Sequence, residues 1–372
     1  SPPAQPEVLS VKDSLSQSSG EEPRRPAWAG GHVDFPDDSA IAGSTWPPPD
    51  PRMLARRRQQ DPAFPPKQPA DQCKARGLRG GAADPNKKLL DRIQVSAPNE
   101  DGHTLFCMIY TISRNHKTAA STVRDTWASR CDGFVVMSDA EDPTLPAARV
   151  THEGKEEYNN IWQKVRSIWK YVHAAYREEF DWFVIGGDDL FVVPSNLRAY
   201  VTSEAVQRAS EGGKKPMFLG RRFQIPKGQL FNSGGAGYVL NREALDLLVD
   251  NLDNQRCRPH QHVFAEDVNV AHCLEVNGVQ AFDTRDSNGG ERFHPFTPGQ
   301  HLLWRPPAKR RPDGSSPDWY ENYNAPWGLK LGEDCCSPES VAFHYVKPDL
   351  MPHMSALLFD CRNGEGEAGG LL

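Results

Sequence analysis

The 372-residue sequence lacks several features that would fix its class at once. No stretch approaches the roughly 18 to 20 apolar residues that a transmembrane helix requires. There is no C-x-x-C pair of the zinc-binding kind and no N-x-S/T glycosylation sequon. A long basic block is also missing, and 43 basic against 49 acidic residues give a net charge of −6. We therefore expect no nucleic-acid partner, because such proteins carry a concentrated basic face.

Hydrophobic residues make up 38% of the chain and charged residues 25%, which is typical of a soluble globular protein. The eight cysteines are even in number and loosely spaced. This pattern suits disulfides in an oxidising compartment, and buried free thiols in a cytosolic protein are the alternative. The chain begins at Ser1 rather than at methionine, so we expect a trimmed lumenal or secreted portion.

Composition divides the chain into three parts. Residues 1–88 hold 15 of the 32 prolines, together with serine, glycine and charged residues, which predicts a Pro-rich stem or linker. Over 89–361, strand-length apolar runs alternate with helical patterns. That alternation predicts an α/β fold whose mainly parallel central sheet is flanked by helices. Residues 362–372 are rich in glycine and glutamate and are expected to form a flexible tail.

The apolar pattern also predicts the individual elements. Strands are predicted at 105–112, 134–137, 182–185, 217–219 and 238–240, and helices near 118–130, over 158–180, from Pro194 and after Asn241. The helix over 158–180 has apolar residues at three- and four-residue spacing, which places them in one stripe. Because ligands of such sheets bind beyond the carboxyl ends of strands, residues that follow the strands are the candidate site.

Two carboxylates, Asp188 and Asp189, follow the apolar run 182–185 after two glycines. Adjacent carboxylates at the edge of a buried strand repel each other and lose hydration, so a bound metal ion would explain them. A solvated turn is the alternative. His344 interrupts the apolar run 341–346, either as a ligand or as a satisfied core histidine. Carboxylate and imidazole together suit manganese.

Glu266 and Asp267 lie in the first turn of a predicted helix. Acidic side chains there favour the helix dipole, and a rigidly held carboxylate could also act as a general base. The Ser-Gly-Gly-Ala-Gly segment at 233–237 permits either close approach of a ligand to the backbone or tight strand packing. It lacks the spacing of a dinucleotide-binding loop.

Two pairs of adjacent residues remain. Arg221 and Arg222 could pair with phosphate or stay solvated. Cys335 and Cys336 could form only a strained vicinal disulfide if they bond to each other.

Nine motifs in chain order together resemble those of the core 1 β1,3-galactosyltransferases, a branch of glycosyltransferase family 31. They are Trp127-Ala-Ser-Arg-Cys131, Asp181-Trp-Phe183, Asp188-Asp189, Gly220-Arg-Arg-Phe223, Ser233-Gly-Gly-Ala-Gly-Tyr-Val-Leu240, Glu266-Asp267, Phe293-His-Pro-Phe296, Cys335-Cys336 and Phe343-His-Tyr-Val346. The resemblance covers roughly 105–346. It implies a GT-A fold, UDP-galactose as donor, Mn²⁺ as cofactor and an acceptor that carries N-acetylgalactosamine (GalNAc) on Ser or Thr. It further implies a type II Golgi membrane protein whose anchor precedes Ser1. The assembly is left open between a monomer and a homodimer.

The resemblance also implies roles for single residues. Asp267, beside Glu266, would be the catalytic base, and Asp189 and His344, with Asp188, would hold the metal. Donor contacts would come from Arg124, Lys164, Asp188, Gly234 and Gly235, and acceptor contacts from Arg221, Arg222, Tyr238, Trp319, Tyr320 and Tyr323. Disulfides would join Cys107 to Cys131, Cys257 to Cys273 and Cys335 to Cys336, with Cys73 and Cys361 unassigned.

One position departs from the family pattern. Gly187 stands where the family has the first Asp of its acidic motif. A chaperone relative that does not transfer sugar lacks that motif, so a non-catalytic function is one alternative. A fringe-like enzyme with another donor sugar is a second. The retained Asp189, Asp267, His344 and cysteine pair favour an enzyme. The resemblance implies inverting transfer, in which Asp267 takes the proton of the acceptor 3-hydroxyl as that oxygen attacks the anomeric carbon.

Overall fold

The computed structural model describes residues 83–97, 103–225 and 228–360. The predicted tail, most of the predicted stem, Cys73 and Cys361 lie outside the described residues. The strands are β1 (Leu105–Tyr110), β2 (Gly133–Ser138), β3 (Ala147–Arg149), β4 (Trp182–Gly187), β5 (Phe191–Val192), β6 (Phe218–Gly220), β7 (Arg222–Gln224), β8 (Leu230–Asn232), β9 (Tyr238–Asn241), β10 (Phe293–His294) and β11 (Ala342–Phe343). The helices are α1 (Pro85–Leu90), α2 (Ser121–Thr126), α3 (Ile161–Tyr176), α4 (Pro194–Val201), α5 (Glu204–Ala209), α6 (Arg242–Asn251), α7 (Glu266–Glu275), α8 (Pro298–Leu303), α9 (Trp319–Asn324) and α10 (Met351–Ser355). Across these described segments, every helix is too short or too polar to cross a bilayer.

The central sheet has six strands in the order β3-β2-β1-β4-β9-β6. Strands β3, β2, β1 and β4 run parallel, whereas β9 is antiparallel to both β4 and β6. The prediction of an α/β fold with a mainly parallel central sheet flanked by helices is confirmed, since only β9 runs against the other five strands of this sheet. The connection from β6 to β9 contains a hairpin, β7-β8, instead of a crossover helix, and strands joined in this way run antiparallel.

Alternating side chains of the sheet pack into two hydrophobic cores, one on each face of the sheet. In β1, Leu105 and Ile109 belong to one core, and Phe106 and Met108 to the other. The apolar stripe of α3 packs into the second core, where Trp162, Val165 and Trp169 are fully buried. Burying a side chain of this size stabilises the fold by roughly 1.5–3 kcal/mol. The sheet edge that follows β1 and β4 is therefore held rigidly from both faces.

Local signals set the ends of several helices as predicted. Pro194 occupies the first turn of α4. The Asn241 side chain caps α6 by accepting a hydrogen bond from the Ala244 N–H at 3.1 Å. The long helix is shorter than predicted, since Tyr158 lies in a preceding 3₁₀ turn and the helix ends at Tyr176.

A second, three-stranded sheet joins the C-terminal part of the chain to the end of β4. Its order is β10-β11-β5, and β11 is antiparallel to β5 with Phe343 opposite Phe191. Next to this sheet, the Val346 N–H donates to the Asp189 carbonyl at 2.9 Å. These contacts place the residue after β11, His344, beside the acidic residues that follow β4.

The three predicted disulfides are confirmed. Cys107 of β1 is bonded to Cys131, and Cys257 to Cys273. The adjacent Cys335 and Cys336 are bonded to each other. The free-thiol alternative is therefore wrong for these six cysteines.

Candidate active site

Three chain segments meet at one edge of the central sheet. Parallel strands β1 and β4 end together, with Tyr110 opposite Gly187. Antiparallel β9 begins at this same edge, with Tyr238 opposite Ile185. The glycine-rich segment 233–237 thus arrives where the two acidic residues leave β4. His344, which follows β11, completes this group of residues.

Asp189 and His344 form the centre of this group. His344 Nε2 lies 3.3 Å from Asp189 Oδ1, and each side chain is 17% exposed. The other imidazole nitrogen, Nδ1, lies 3.3 Å from the Pro295 carbonyl oxygen. With a metal bound, a proton on Nδ1 would donate to that carbonyl and leave the Nε2 lone pair to bind a metal ion shared with Asp189, as in metal-ligating histidines.

Asp189 has a second partner that the sequence did not indicate. Lys347 Nζ lies 3.1 Å from Asp189 Oδ2, while its side chain stays 55% exposed. Burial by itself would raise the pKa of Asp189, but His344 and Lys347 outweigh it and hold that pKa well below its usual range. Asp189 is therefore an anion at neutral pH.

Asp188 points into the protein instead. Its Oδ2 accepts hydrogen bonds from Thr111 Oγ1 at 2.5 Å and from Asn115 Nδ2 at 2.9 Å. Burial raises the pKa of Asp188 above its usual range, although these two donors act against that shift. The buried Lys164, predicted to contact the donor, donates to the Thr111 carbonyl at 2.7 Å and to Glu156 at 2.7 Å. Thr111 therefore links Lys164 to Asp188.

Glu266 and Asp267 lie in the first turn of α7, as predicted. Asp267 Oδ2 accepts from the Gly234 N–H and Oδ1 from the Val268 N–H, both at 2.9 Å. Glu266 is buried and accepts a hydrogen bond from the Tyr238 hydroxyl at 3.0 Å. Burial raises the pKa of both carboxyl groups; at Glu266 the charge of Asp267 raises it further.

Gly234 and Gly235 connect the predicted base to the predicted metal ligand. A Cβ atom on Gly234 would lie 2.3 Å from Glu266 Oε1. A Cβ atom on Gly235 would lie 2.3 Å from Cε1 of the His344 ring. Only glycine allows the backbone to pass between these side chains.

The donor set at Asp189 and His344 fits a divalent metal. One anionic carboxylate and one imidazole are ligands that Mn²⁺ accepts, and diphosphate oxygens and water would complete its shell. Gly187 supplies no side-chain ligand. The described residues contain another close group of ligand atoms, from His294, His301 and Cys336, which lie within 4.8 Å of one another. Cys336 is bonded to Cys335, so its sulfur is not a thiolate and this group does not match the predicted site.

The predicted arginines have protein partners. Arg124 is paired with Asp125 and donates to the Thr144 carbonyl at 2.7 Å. Arg221 is fully buried, where it pairs with Glu291 and donates to the Tyr320 hydroxyl at 3.0 Å. This arrangement joins β6–β7 to α9, and a role of Arg221 toward an acceptor stays a prediction.

Arg222 is half-buried beside α9. It pairs with Asp283 at 2.7 Å, and its guanidinium carbon lies 4.4 Å from the ring centroid of Trp327. The guanidinium group is thus held in place by a carboxylate and an aromatic ring. Its role toward an acceptor stays a prediction.

The aromatic residues predicted to face the acceptor form one cluster around Phe223. The ring centroids of Trp319, Tyr320 and Tyr323 lie 5.8, 6.0 and 5.9 Å from that of Phe223. Burial raises the pKa of Tyr323, and the charge of Asp267 raises it further, so the predicted base acts electrostatically on this cluster.

Three tyrosines at the site were missed in the sequence. Burial and the neighbouring carboxylates raise the pKa of Tyr158 and of Tyr345 to about 12, and that of Tyr110 well above its usual value. Tyr345 has a left-handed backbone, with φ of 56°, and its ring stacks on His344 at a centroid distance of 3.9 Å. The rule that selected Asp188 missed Tyr110, because the strand was predicted to run to Ile112, whereas β1 ends at Tyr110.

The sequence pattern of the Fringe-like family matches residues 100–285, half of the chain. The chain belongs to the Fringe-like family. This Fringe-like protein is also 32% identical over 259 residues to glycoprotein-N-acetylgalactosamine 3-beta-galactosyltransferase 1 of Xenopus laevis, a match that covers 69% of this chain and 67% of that protein. These findings confirm the resemblance to the core 1 β1,3-galactosyltransferases and support a glycosyltransferase of that type.

More distant relatives of this Fringe-like protein carry other names. Chondroitin sulfate synthase 3 of Mus musculus is 22% identical over 274 residues, covering 65% of this chain and 30% of that protein. Chondroitin sulfate glucuronyltransferase of Homo sapiens is 25% identical over 236 residues, covering 62% of this chain and 28% of that protein. The chain thus spans less than a third of the length of either relative.

Proposed function

We propose that this protein is an inverting, Mn²⁺-dependent glycosyltransferase that moves galactose from UDP-galactose to the 3-hydroxyl of GalNAc on Ser or Thr of glycoproteins. The observation that carries the proposal is the glycine pair. Gly234 donates its N–H to Asp267, and Gly235 packs against His344. The predicted base and the predicted metal ligand are therefore neighbours across two residues of backbone.

Asp267 is the better base of the acidic pair. Two backbone N–H groups hold its carboxylate and favour the ionised form, while burial raises its pKa and strengthens it as a base. Glu266 is more deeply buried, and its partner is a tyrosine hydroxyl, which it shares with the core residue Trp169. Glu266 is better placed to hold the end of β9 against α7 than to meet a substrate.

The transfer is a single displacement. The acceptor 3-hydroxyl oxygen bonds to the anomeric carbon of galactose as the bond from that carbon to UDP breaks, and the hydroxyl proton passes to a carboxylate oxygen of Asp267. The electron pair of the broken bond leaves with UDP. Asp189 and His344 would hold Mn²⁺, whose charge offsets the charge that develops on the diphosphate.

The proposal places the protein in the Golgi lumen as the lumenal part of a type II membrane protein. Three disulfides support an oxidising compartment. The GalNAc-bearing acceptor is supported by the name of the Xenopus laevis relative. The proposed partners are thus a UDP-sugar and a glycoprotein.

A donor panel tests the proposal. The protein is incubated with Mn²⁺, a GalNAc-Thr peptide and, separately, UDP-galactose, UDP-glucuronate, UDP-GalNAc and UDP-N-acetylglucosamine, and products are identified by mass spectrometry and linkage analysis. The expected product is a β1,3-linked galactose from UDP-galactose alone. Transfer from another donor would support the fringe-like alternative, for which the chondroitin relatives give a reason. The matched variants Asp267→Asn and Glu266→Gln, each of which removes one carboxylate charge, serve as controls that show whether transfer depends on these two residues.

Gly187 favours a second candidate, a non-catalytic chaperone-like protein, because one motif carboxylate is missing. Calorimetry of UDP binding with Mn²⁺ and with chelator separates the two functions. The enzyme is expected to bind UDP with Mn²⁺ and to lose most of that affinity in Asp189→Ala. Equal and negligible affinity in Mn²⁺ and in chelator would contradict the enzyme and favour the chaperone-like function.

A further inference from the structure

Lys347 is a cation at the centre of a site that is expected to bind an anion. Its Nζ lies 3.1 Å from Asp189 Oδ2, on the oxygen that does not face His344. None of the family motifs that identified the site includes it. The side chain is 55% exposed, so the ammonium group is at the open side of the carboxylate rather than beneath it.

The backbone of Lys347 is fixed although its side chain is not. Its carbonyl accepts hydrogen bonds from the N–H groups of Leu350 and Met351, both at 3.0 Å. One residue earlier, the Val346 N–H donates to the Asp189 carbonyl at 2.9 Å. The ammonium group can therefore move while the residue stays attached to the metal-binding segment.

Charge at the site changes with occupancy. Without a metal, Lys347 balances Asp189, and Gly187 brings none of the negative charge that the family motif has at that position. A divalent cation on Asp189 and His344 would repel the ammonium group from Asp189 Oδ2. The lysine end of this pair is 55% exposed, so the displaced ammonium group is readily hydrated and the displacement costs little. A displaced ammonium is a flexible point charge of the kind that binds phosphate.

We propose that Lys347 is a donor-binding residue, which pairs with Asp189 in the metal-free site and binds the diphosphate of the UDP-sugar once Mn²⁺ occupies Asp189 and His344. This inference rests on the proposed function, since it needs a nucleotide diphosphate at this metal site. Its consequence is that Lys347 opposes metal binding and assists nucleotide binding. A residue that only stabilised the local structure would affect both in the same direction.

The test measures the two affinities separately in the full chain. Mn²⁺ affinity without nucleotide is followed by electron paramagnetic resonance of the free ion, and UDP affinity at saturating Mn²⁺ by calorimetry. In Lys347→Gln, Mn²⁺ should bind about two- to fivefold more tightly, because the ion pair that competes for Asp189, exposed at its lysine end, is gone. UDP should bind about tenfold more weakly, because a charge-assisted phosphate contact is lost. Lys347→Arg should keep most of the UDP affinity.

The control is Lys214→Gln, an exposed lysine in the loop between α5 and β6, which should change neither affinity. Unchanged affinities in Lys347→Gln, or a loss of both together, would overturn the inference while leaving the proposed function in place. If the wild-type protein binds no UDP with Mn²⁺, the proposed function fails first and the inference fails with it.

Discussion

Replacing Gly235 by alanine perturbs the predicted metal site through one added carbon atom. The new Cβ would lie 2.3 Å from Cε1 and 2.4 Å from Nδ1 of His344. Carbon atoms pack best at about 3.5–4.0 Å, so the ring and the backbone must separate by roughly 1.2 Å. The ring has little room, because Tyr345 stacks on it at 3.9 Å and Nδ1 faces the Pro295 carbonyl at 3.3 Å.

A displacement of this size is large for a metal ligand. Metal–ligand distances are held to about ±0.2 Å, and disturbing even the residues behind a ligand costs about 10- to 100-fold in metal affinity. We therefore expect Gly235→Ala to weaken Mn²⁺-dependent UDP binding at least about tenfold in calorimetry. Thermal unfolding monitored in parallel shows whether the fold is intact.

Two other glycines make the comparison specific. In Gly234→Ala the added Cβ would meet Glu266 Oε1 at 2.3 Å, so transfer should slow while Mn²⁺ binding is retained. In Gly228→Ala the nearest atom is the Ile225 carbonyl oxygen at 3.5 Å, an ordinary contact, and neither property should change. Normal Mn²⁺-dependent UDP affinity in a folded Gly235→Ala protein would refute His344 as a metal ligand held by this backbone.

Three further predictions concern the base, the missing carboxylate and the disulfides. Asp267→Asn should lower kcat/KM by roughly 10²- to 10⁴-fold, and near-normal turnover of this variant would rule out Asp267 as the base. Because the pKa of Asp267 is raised, the wild-type kcat/KM should begin to fall on acidification at a higher pH than it would with an ordinary aspartate, whose pKa is near 4. Gly187→Asp, whose Cβ would lie 3.3 Å from Asp189 Oδ1, should tighten Mn²⁺ binding by roughly tenfold, because a second negative charge about 4 Å from the ion adds attraction; weaker binding would show that the carboxylates only repel each other. The Cys107→Ser/Cys131→Ser double variant opens a loop with a sequence separation of 24, so its free energy of unfolding should fall by about 3 kcal/mol. An unchanged midpoint of unfolding in denaturant would contradict this prediction.

Local patterns predicted the parts of the fold that depend on neighbouring residues. The apolar runs of β1 and β4 and the stripe of α3 are set by burial of side chains at period 2 and period 3.6, which the sequence displays directly. The cap that Asn241 forms on α6 is also a local signal, since its partner Ala244 is only three residues away. The family resemblance, not spacing, supplied the three disulfide pairings.

Long-range contacts were not predictable in this way. Arg221 pairs with Glu291, 70 residues later, and nothing local distinguishes it from the solvated Arg-Arg pair that it resembles. The approach of Lys347 to Asp189 depends on the pairing of β5 with β11, two strands of two residues each, too short to be recognised as a pair. Such strands carry almost no periodic signal.

The antiparallel direction of β9 is the step that assembles the candidate site. In a wholly parallel sheet the residues before β9 would lie at the opposite edge, and the base would have no backbone link to the metal ligand. Because β9 begins at the edge where β4 ends, the chain enters through Gly234 and Gly235 between Glu266 and His344. The α/β alternation predicts a mainly parallel sheet but not which strand is reversed, since the direction of β9 depends on its connection from β6. One reversed strand therefore explains why the sheet is mainly rather than wholly parallel, and why a glycine pair, rather than a charged motif, connects the two halves of the site.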